Sequence, residues 1–432
     1  MNLNIDQARV ARELEELAAI SQVPPPAVTR ILFTDADLRG RAYVKGLCRE
    51  AGLEIREDPV GNIFARWQGA DRSLPAVCTG SHIDAIPNAG KFDGTVGVLG
   101  GLEALRALAR AGFRPPRSIE LIIFTAEEPT RFGIGCLGSR LMGGALTSSA
   151  DEDLKDNDGR SLQQIRVEAG YTGSLETVRL PCNYCRAFVE LHIEQGPILE
   201  RDQIDVGIVT AIAPPAGLRL WIEGEGGHAG AVLMPQRRDA FLGAAEIALS
   251  LEKAARESGA IDTVATTGVC EVFPGAINSI PSRVRMEVDV RDIGPGRRDE
   301  VLRKLHVAIV EVSSRRGLTV RKEIINQDSP AQSGPLALAA LEKACLVQGA
   351  TFARMISRAY HDALFISLLA PSAMLFIPCR SGISHHPDEY ASDEHISAGI
   401  AVLAETLADL AVAADYGTPS DLPPAIRTQT VR

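Results

Sequence analysis

The run Ala76-Val77-Cys78-Thr79-Gly80-Ser81-His82-Ile83-Asp84 is where the fold can be read. Its first five residues are apolar or small without alternation, the pattern of a strand covered on both faces, and it stops at a histidine and an aspartate. Beyond it, Val96 to Ala111 carries the apolar period of a helix, and Ile119 to Thr125 is a second unbroken apolar run. Strand, helix and strand in succession imply an α/β fold, a mixed, mostly parallel sheet covered by helices. In open sheets of this kind, ligands gather just beyond the carboxyl ends of the strands. His82 follows the first strand, Glu127 and Glu128 follow the second, and His192 lies on or just after Phe188-Val189-Glu190-Leu191.

These residues belong to five short segments spread along the chain: Ser81-His82-Ile83-Asp84, Lys91-Phe92-Asp93-Gly94, Ala126-Glu127-Glu128-Pro129, Glu190-Leu191-His192-Ile193-Glu194 and Ile383-Ser384-His385-His386-Pro387. Two divalent ions roughly 3.5–4 Å apart need a bridging carboxylate, terminal imidazoles, a further carboxylate and an unligated base nearby. His, Asp, Glu, His and His with one glutamate to spare meet that need. The chain has eight histidines; besides these motifs, His228 and His361 sit in motifs of their own, and His306 and His395 in helical surroundings. A lone histidine is more often structural than a ligand, but five spaced motifs reverse that expectation. Asp93 and Gly94 stand where a helix begins, so an N-capping aspartate is the competing reading. The spacing to His82 and the glycines Gly90, Gly94 and Gly97 favour a ligand.

At 432 residues two domains are expected. A net charge of −10 without a long basic block argues against nucleic acid. Met1 to Ala19 reads as an amphipathic helix without the pattern of a signal peptide, and no stretch approaches ~18 consecutive apolar residues, so no membrane partner and a cytoplasmic location are expected. Eight cysteines make no disulfide scaffold, and Cys182-Asn183-Tyr184-Cys185 lacks the second pair a structural zinc requires. Residues 146–186 read as a polar, solvated excursion. From Ala213-Pro214-Pro215 the pattern turns to strands Leu218 to Glu223, Thr263 to Val272 and Arg283 to Val290 with helices Arg238 to Ser258 and Asp299 to Arg316, a βαββαβ-like unit. The last ligand motif follows it, so the unit is an insertion. The expected division is 1–212 with 328–432 as one domain and 213–327 as an inserted, smaller α+β domain. A helix from Leu336, a closing helix Ser397 to Ala413 and a frayed tail from Gly417 complete the reading.

Several stretches carry a resemblance: Gly80-Ser81-His82-Ile83-Asp84-Ala85-Ile86-Pro87, Phe124 to Arg140, Glu223 to Met234 with Gly227-His228-Ala229-Gly230, Arg358-Ala359-Tyr360-His361-Asp362, and Phe376-Ile377-Pro378-Cys379. The chain resembles the M20 metallopeptidase family, and within it the amidohydrolases that cut ureido and N-carbamoyl groups. That resemblance implies one ion held by His82, Asp93 and His192, a second held by Asp93, Glu128 and His385, and Glu127 left as the base. It implies that Asp84 orients the His82 ring through its other nitrogen, and the family pattern Gly-X-Ser-His selects His385 over His386. The insertion becomes a lid and dimerisation domain of a homodimer, with His228 polarising the scissile carbonyl in the partner subunit's site. Asn278 and Arg291 would hold the substrate, with Gln195, Tyr360 and His361 beside them. Taken alone, Asn278 sits in a turn where asparagine is common, while the fork of Arg291 suits a substrate carboxylate. Of the metals that accept such ligands, manganese is favoured, with zinc or cobalt possible. The lid sequence Ala231-Val232-Leu233-Met234 and the Arg358-Ala359-Tyr360 preceding His361 depart from the allantoate and N-carbamoyl-L-amino-acid enzymes. Both departures point to ureidoglycolate as the small anionic ureido substrate, with allantoate or an N-carbamoyl-L-amino acid as the alternative.

Overall fold

The computed structural model describes residues 3–413. The chain forms two compact units, one built from the chain up to Thr210 with Ser333–Met355 and the chain from His361, the other from Ala211–Gln332 with Ile356–Tyr360. The sequence division placed 356–360 with the metal motifs. Hydrogen bonds explain why it goes elsewhere: Ala213 N donates to the Ser357 carbonyl at 2.8 Å, and the Tyr360 hydroxyl to Asp328 Oδ2 at 2.7 Å.

In the first unit, four parallel strands form the middle of the sheet, in the order Ile119–Phe124, Ala76–His82, Cys185–Ile193 and Ser372–Ile377. Antiparallel strands flank them, Ile63–Trp67 and Glu54–Glu57 on one side and Val206–Ile212 on the other. The central strands are buried along almost their whole length, which is why they read as continuous apolar runs rather than alternating ones. Helices Gln7–Ala19, Thr95–Arg110, Pro335–Gln348 and Asp393–Val412 share one core with them. Asp393–Val412 is long and apolar enough to cross a membrane by composition, but its Ile396, Ile400, Leu403 and Leu407 are spent on that core.

The expectation of a solvated excursion at 146–186 is corrected. Short helices Ala150–Asp153 and Leu162–Glu168 lie there, Leu162, Ile165, Leu175 and Val178 are buried, and Arg166 pairs with Asp151 at 2.6 Å. The three-residue spacing of Leu162 and Ile165 is the signal that the polar composition masked. The tail from Gly417 lies outside the described residues.

The second unit is a four-stranded antiparallel sheet in the order Val264–Phe273, Arg283–Arg291, Ala216–Glu223 and Thr319–Gln327. Helices Ala240–Arg256 and Pro295–Arg316 cover one face. Alternation along Arg283–Arg291 sends Val284, Met286, Val288 and Val290 to the helices and Arg285, Glu287 and Asp289 to the other face.

Candidate metal centre

The parallel strands point their carboxyl ends the same way, and the ladder aligns them: His82 pairs with Phe124, and His192 with Phe376. His82, Glu127 and Glu128, His192 and, one loop further, His385 therefore emerge on one edge of one sheet. Asp93 joins them from the start of helix Thr95–Arg110. The capping alternative fails there, because Gly94 is the N-cap residue and no side chain caps the helix. Gly94 has φ +65°, and a Cβ on it would lie 2.4 Å from His82 Nε2, so only glycine lets the imidazole approach.

Asp93 is the centre of the cluster. Its Oδ1 lies 3.1 Å from His192 Nε2 and 3.5 Å from His82 Nε2, and its Oδ2 lies 3.2 Å from His385 Nε2. His385 Nε2 is also 3.4 Å from Glu128 Oε1. The groups His82–Asp93–His192 and Asp93–Glu128–His385 thus share one carboxylate. A third grouping, Glu190–His192–His361, is geometrically close but already satisfied, since Glu190 accepts from the Ser81 hydroxyl at 2.8 Å and from Ala363 N at 3.0 Å. His386 turns away, its Nδ1 accepting from Asp388 N at 3.2 Å, so the geometry selects His385.

The rings are set as acceptors toward this centre. His82 Nδ1 faces the Asp84 carbonyl at 3.0 Å and His192 Nδ1 faces the Ile193 carbonyl at 2.9 Å, which fixes the N–H there and leaves the lone pair on Nε2. Gly94 N donates to His192 Nε2 at 3.3 Å, as it would to a lone pair. Asp84 does this work differently from the sequence reading: its carbonyl orients His82, while its carboxylate accepts from Glu127 N at 3.2 Å and Glu128 N at 3.0 Å. It therefore anchors the strand end that carries both glutamates, where Ala126 takes φ 53°.

Lone pairs and carboxylates converging in a buried cleft leave the site short of positive charge. Burial works to raise the Asp93 carboxyl, but the imidazoles of His192, His385 and His82 gathered around it hold it well below the ordinary range. Asp93, opposed by burial and helped by Glu128, pushes His385 up to about 9, and burial followed by the charge of Asp93 pushes Glu128 up to about 7. Burial, then the neighbouring His192, keeps His361 well below its usual value and so neutral, with its ring 4.6 Å from that of His192. Imidazole and carboxylate donors in this ratio fit divalent ions such as manganese, zinc or cobalt.

Three residues that the sequence reading passed over support the centre. Ser384 Oγ lies 3.0 Å from Asp93 Oδ2, and Glu389 accepts from Phe92 N and Asp93 N at 2.8 and 3.0 Å. Asn62 Oδ1 accepts from Thr125 N at 2.9 Å, just ahead of the glutamates. Only Ser384 and Glu389 carried a signal, as polar neighbours of the His385 motif. Gln195, expected to bind substrate, donates to Asp93 Oδ2 at 2.8 Å.

The remaining residues named from sequence belong to the second unit. His228 and Asn278 come together there, since Ala229 N donates to the Asn278 carbonyl at 2.9 Å, and the His228 side chain is exposed. Arg291 forks onto Asp289 at 2.7 Å and reaches the Arg358 carbonyl. A cavity of about 500 Å³ among Arg9, Trp67, Leu105 and Arg106 lies at the far end of helix Thr95–Arg110 and takes no part in the centre.

A parallel sheet that gathers imidazoles around a shared carboxylate, with a spare glutamate beside it, defines a metal-dependent hydrolase. Residues 78–409 match the peptidase family M20/M25/M40, and the chain belongs to that family. It is 52% identical to the ureidoglycolate hydrolase of Oryza sativa subsp. japonica, an alignment covering 94% of this chain and 85% of that protein. It is 36% identical to the N-carbamoyl-L-amino acid amidohydrolase of Geobacillus stearothermophilus, over 94% and 99% of the two chains. Crystal structures of AtUAH in complex with glyoxylate and with (S)-hydroxyglycine superpose with a TM-score of 0.85 at 49% identity, covering 95% of this chain and 99% of theirs. The protein is a metal-dependent amidohydrolase.

Proposed function

We propose that this protein hydrolyses the ureido C–N bond of (S)-ureidoglycolate, yielding glyoxylate, CO2 and ammonia in the degradation of allantoin. The observation that carries this reading is the 52% identity, over 94% of the chain, with a ureidoglycolate hydrolase. In the proposed site His82, Asp93 and His192 would hold one divalent ion and Asp93, Glu128 and His385 a second, with manganese favoured. Such ions polarise a carbonyl and lower the pKa of water to about 7.

The chain's own residues supply the rest. Glu127 Oε2 lies 3.8 Å from His82 Nε2 at the edge of the ligand cluster, and burial, reinforced by Glu128 and Asp362, raises its carboxyl well above the ordinary range. It accepts the proton of the attacking water and returns it to the ureido nitrogen as the C–N bond breaks. Carbamate and hydroxyglycine leave; carbamate decays to CO2 and ammonia, and hydroxyglycine to glyoxylate and a second ammonia. His228, Asn278 and Arg291 serve carbonyl and carboxylate recognition in a homodimer assembled through residues 213–327. Cytoplasmic residence is part of the same proposal.

The test is ammonia release by manganese-reconstituted protein from ureidoglycolate, allantoate and several N-carbamoyl-L-amino acids in parallel. Preference for ureidoglycolate is expected. Preference for an N-carbamoyl acid would move the substrate to the branch represented by the Geobacillus enzyme and leave the metal centre intact.

A further inference from the structure

We infer that Glu389 is a positioning residue for the metal centre: it clamps Asp93, the carboxylate shared by the two ligand groups, at both backbone and side chain. Glu389 is buried, at 4% exposure. Its Oε1 accepts from Phe92 N at 2.8 Å and from Asp93 N at 3.0 Å. Its Oε2 lies 3.0 Å from Ser384 Oγ, which is also 3.0 Å from Asp93 Oδ2. One side chain thus sets where the Asp93 backbone leaves the loop and, through Ser384, where its carboxylate oxygen sits.

The arrangement joins two segments far apart in the chain. Glu389 N donates to the His386 carbonyl at 3.0 Å, closing the turn that presents His385, and the same residue reaches back to the loop that presents Asp93. His385, with φ 57°, holds a backbone conformation that the loop must stabilise. Both Asp93-bearing and His385-bearing loops are therefore indexed on one carboxylate. Gly90 marks the tightness of the fit, because a Cβ there would come within 2.3 Å of Glu389 Cβ and 2.4 Å of its Oε1.

Hydrogen-bonding groups behind metal ligands typically change metal affinity by about 10–100-fold when removed. Two features separate positioning from mere packing. Glutamine can accept from both N–H groups through Oε1 and donate to Ser384 Oγ, which keeps its own proton for Asp93; alanine can do neither. Enlarging Gly90, whose added Cβ would meet both Cβ and Oε1 of Glu389, should push that side chain off its partners while leaving its chemistry unchanged.

The inference rests on the reading of Asp93 as the shared ligand, and the experiment keeps the two apart. Metal-free wild-type protein and the variants Glu389→Ala, Glu389→Gln and Gly90→Ala are titrated with Mn2+ against a competing chelator, and the metal-free melting temperature is recorded for each. Glu389→Ala should weaken Mn2+ binding by about 10–100-fold with little change in metal-free melting. Glu389→Gln should recover most of the affinity, and Gly90→Ala should resemble Glu389→Ala. Wild-type affinity in Glu389→Ala, or a glutamine variant no better than alanine, overturns the role of Glu389. If Asp93→Ala itself keeps Mn2+ affinity, the reading of the centre fails and takes this inference with it.

Discussion

Glu127 and Glu128 are neighbours in the chain with the same chemistry and different surroundings. Both N–H groups are held by the Asp84 carboxylate, but Glu128 Oε1 faces His385 at 3.4 Å while Glu127 Oε1 receives the Cys136 thiol at 3.5 Å. Glu127 lies in neither ligand group, so its replacement separates proton transfer from metal binding. Glu127→Gln should lower kcat by about 10²–10⁴-fold, with metal content per chain unchanged by atomic absorption. Metal loss in step with activity would instead make Glu127 a ligand. The Glu-Glu pair was legible in the sequence, and so was its place after a strand. The division of labour came from the family resemblance alone, because it depends on which side chain meets an imidazole from a segment more than two hundred residues away, and no spacing along the chain reports that. His385 and His386 pose the same problem: the resemblance chose His385, and the turn in which His386 Nδ1 accepts from Asp388 N agrees with that choice.

At the scale of elements, the site depends on how closely helix Thr95–Arg110 lies on the parallel strands. A Cβ on Gly97 would come within 2.2 Å of the Leu191 carbonyl, one residue before His192. Gly97→Ala should therefore force helix and strand apart, costing on the order of 1–3 kcal/mol in urea unfolding, with weaker Mn2+ binding; unchanged stability would show that the sheet yields there. The βαβ alternation of this region was visible in the sequence because doubly covered strands have long apolar runs, whereas the hairpin between Glu54–Glu57 and Ile63–Trp67 was not. That hairpin ends in Asp58, which accepts from Val60 N and Asn62 N at 3.1 and 2.9 Å, and Asn62 in turn holds Thr125. Burial, opposed by the hydrogen bonds from Asn62 and Val60, pushes Asp58 from 3.8 to about 6. The folded protein then holds a proton that the unfolded chain has lost, so this contribution is fully present below about pH 4 and disappears as pH rises through 6. Asp58→Asn, which cannot ionise, should accordingly be more destabilising at pH 4 than at pH 7, the gap reaching about 3 kcal/mol at most. A gap of opposite sign in pH-resolved unfolding would mean that the Asp58 carboxylate is stabilised by its hydrogen bonds from Val60 N, Asn62 N and Asn62 Nδ2 more than burial penalises it.

At the scale of the whole molecule, each unit has a core of its own, one around the mixed sheet with its parallel centre and one between the four-stranded sheet and its two helices. The insertion was legible because the last ligand motif lies beyond it in sequence; the return of 356–360 to the second unit was not, since it rests on hydrogen bonds to Ala213 and Asp328 rather than on any periodic pattern. Every proposed metal ligand belongs to the first unit. Cation binding should therefore stabilise that unit, by about 2.7 kcal/mol for each ion whose free concentration is a hundred times its Kd. Without the cation, Asp93, Glu127 and Glu128 crowd buried negative charge around three imidazoles, and the unit must tolerate that cluster unaided. Chelation followed by scanning calorimetry should split the melting profile: the transition of the first unit should fall by on the order of 5 °C, and that of the second should stay in place. Readdition of Mn2+ should restore the first transition, and Asp93→Ala should abolish the response. A chelator effect of equal size on both transitions would show that the units unfold as one cooperative body, so that metal bound in the first unit stabilises the entire chain.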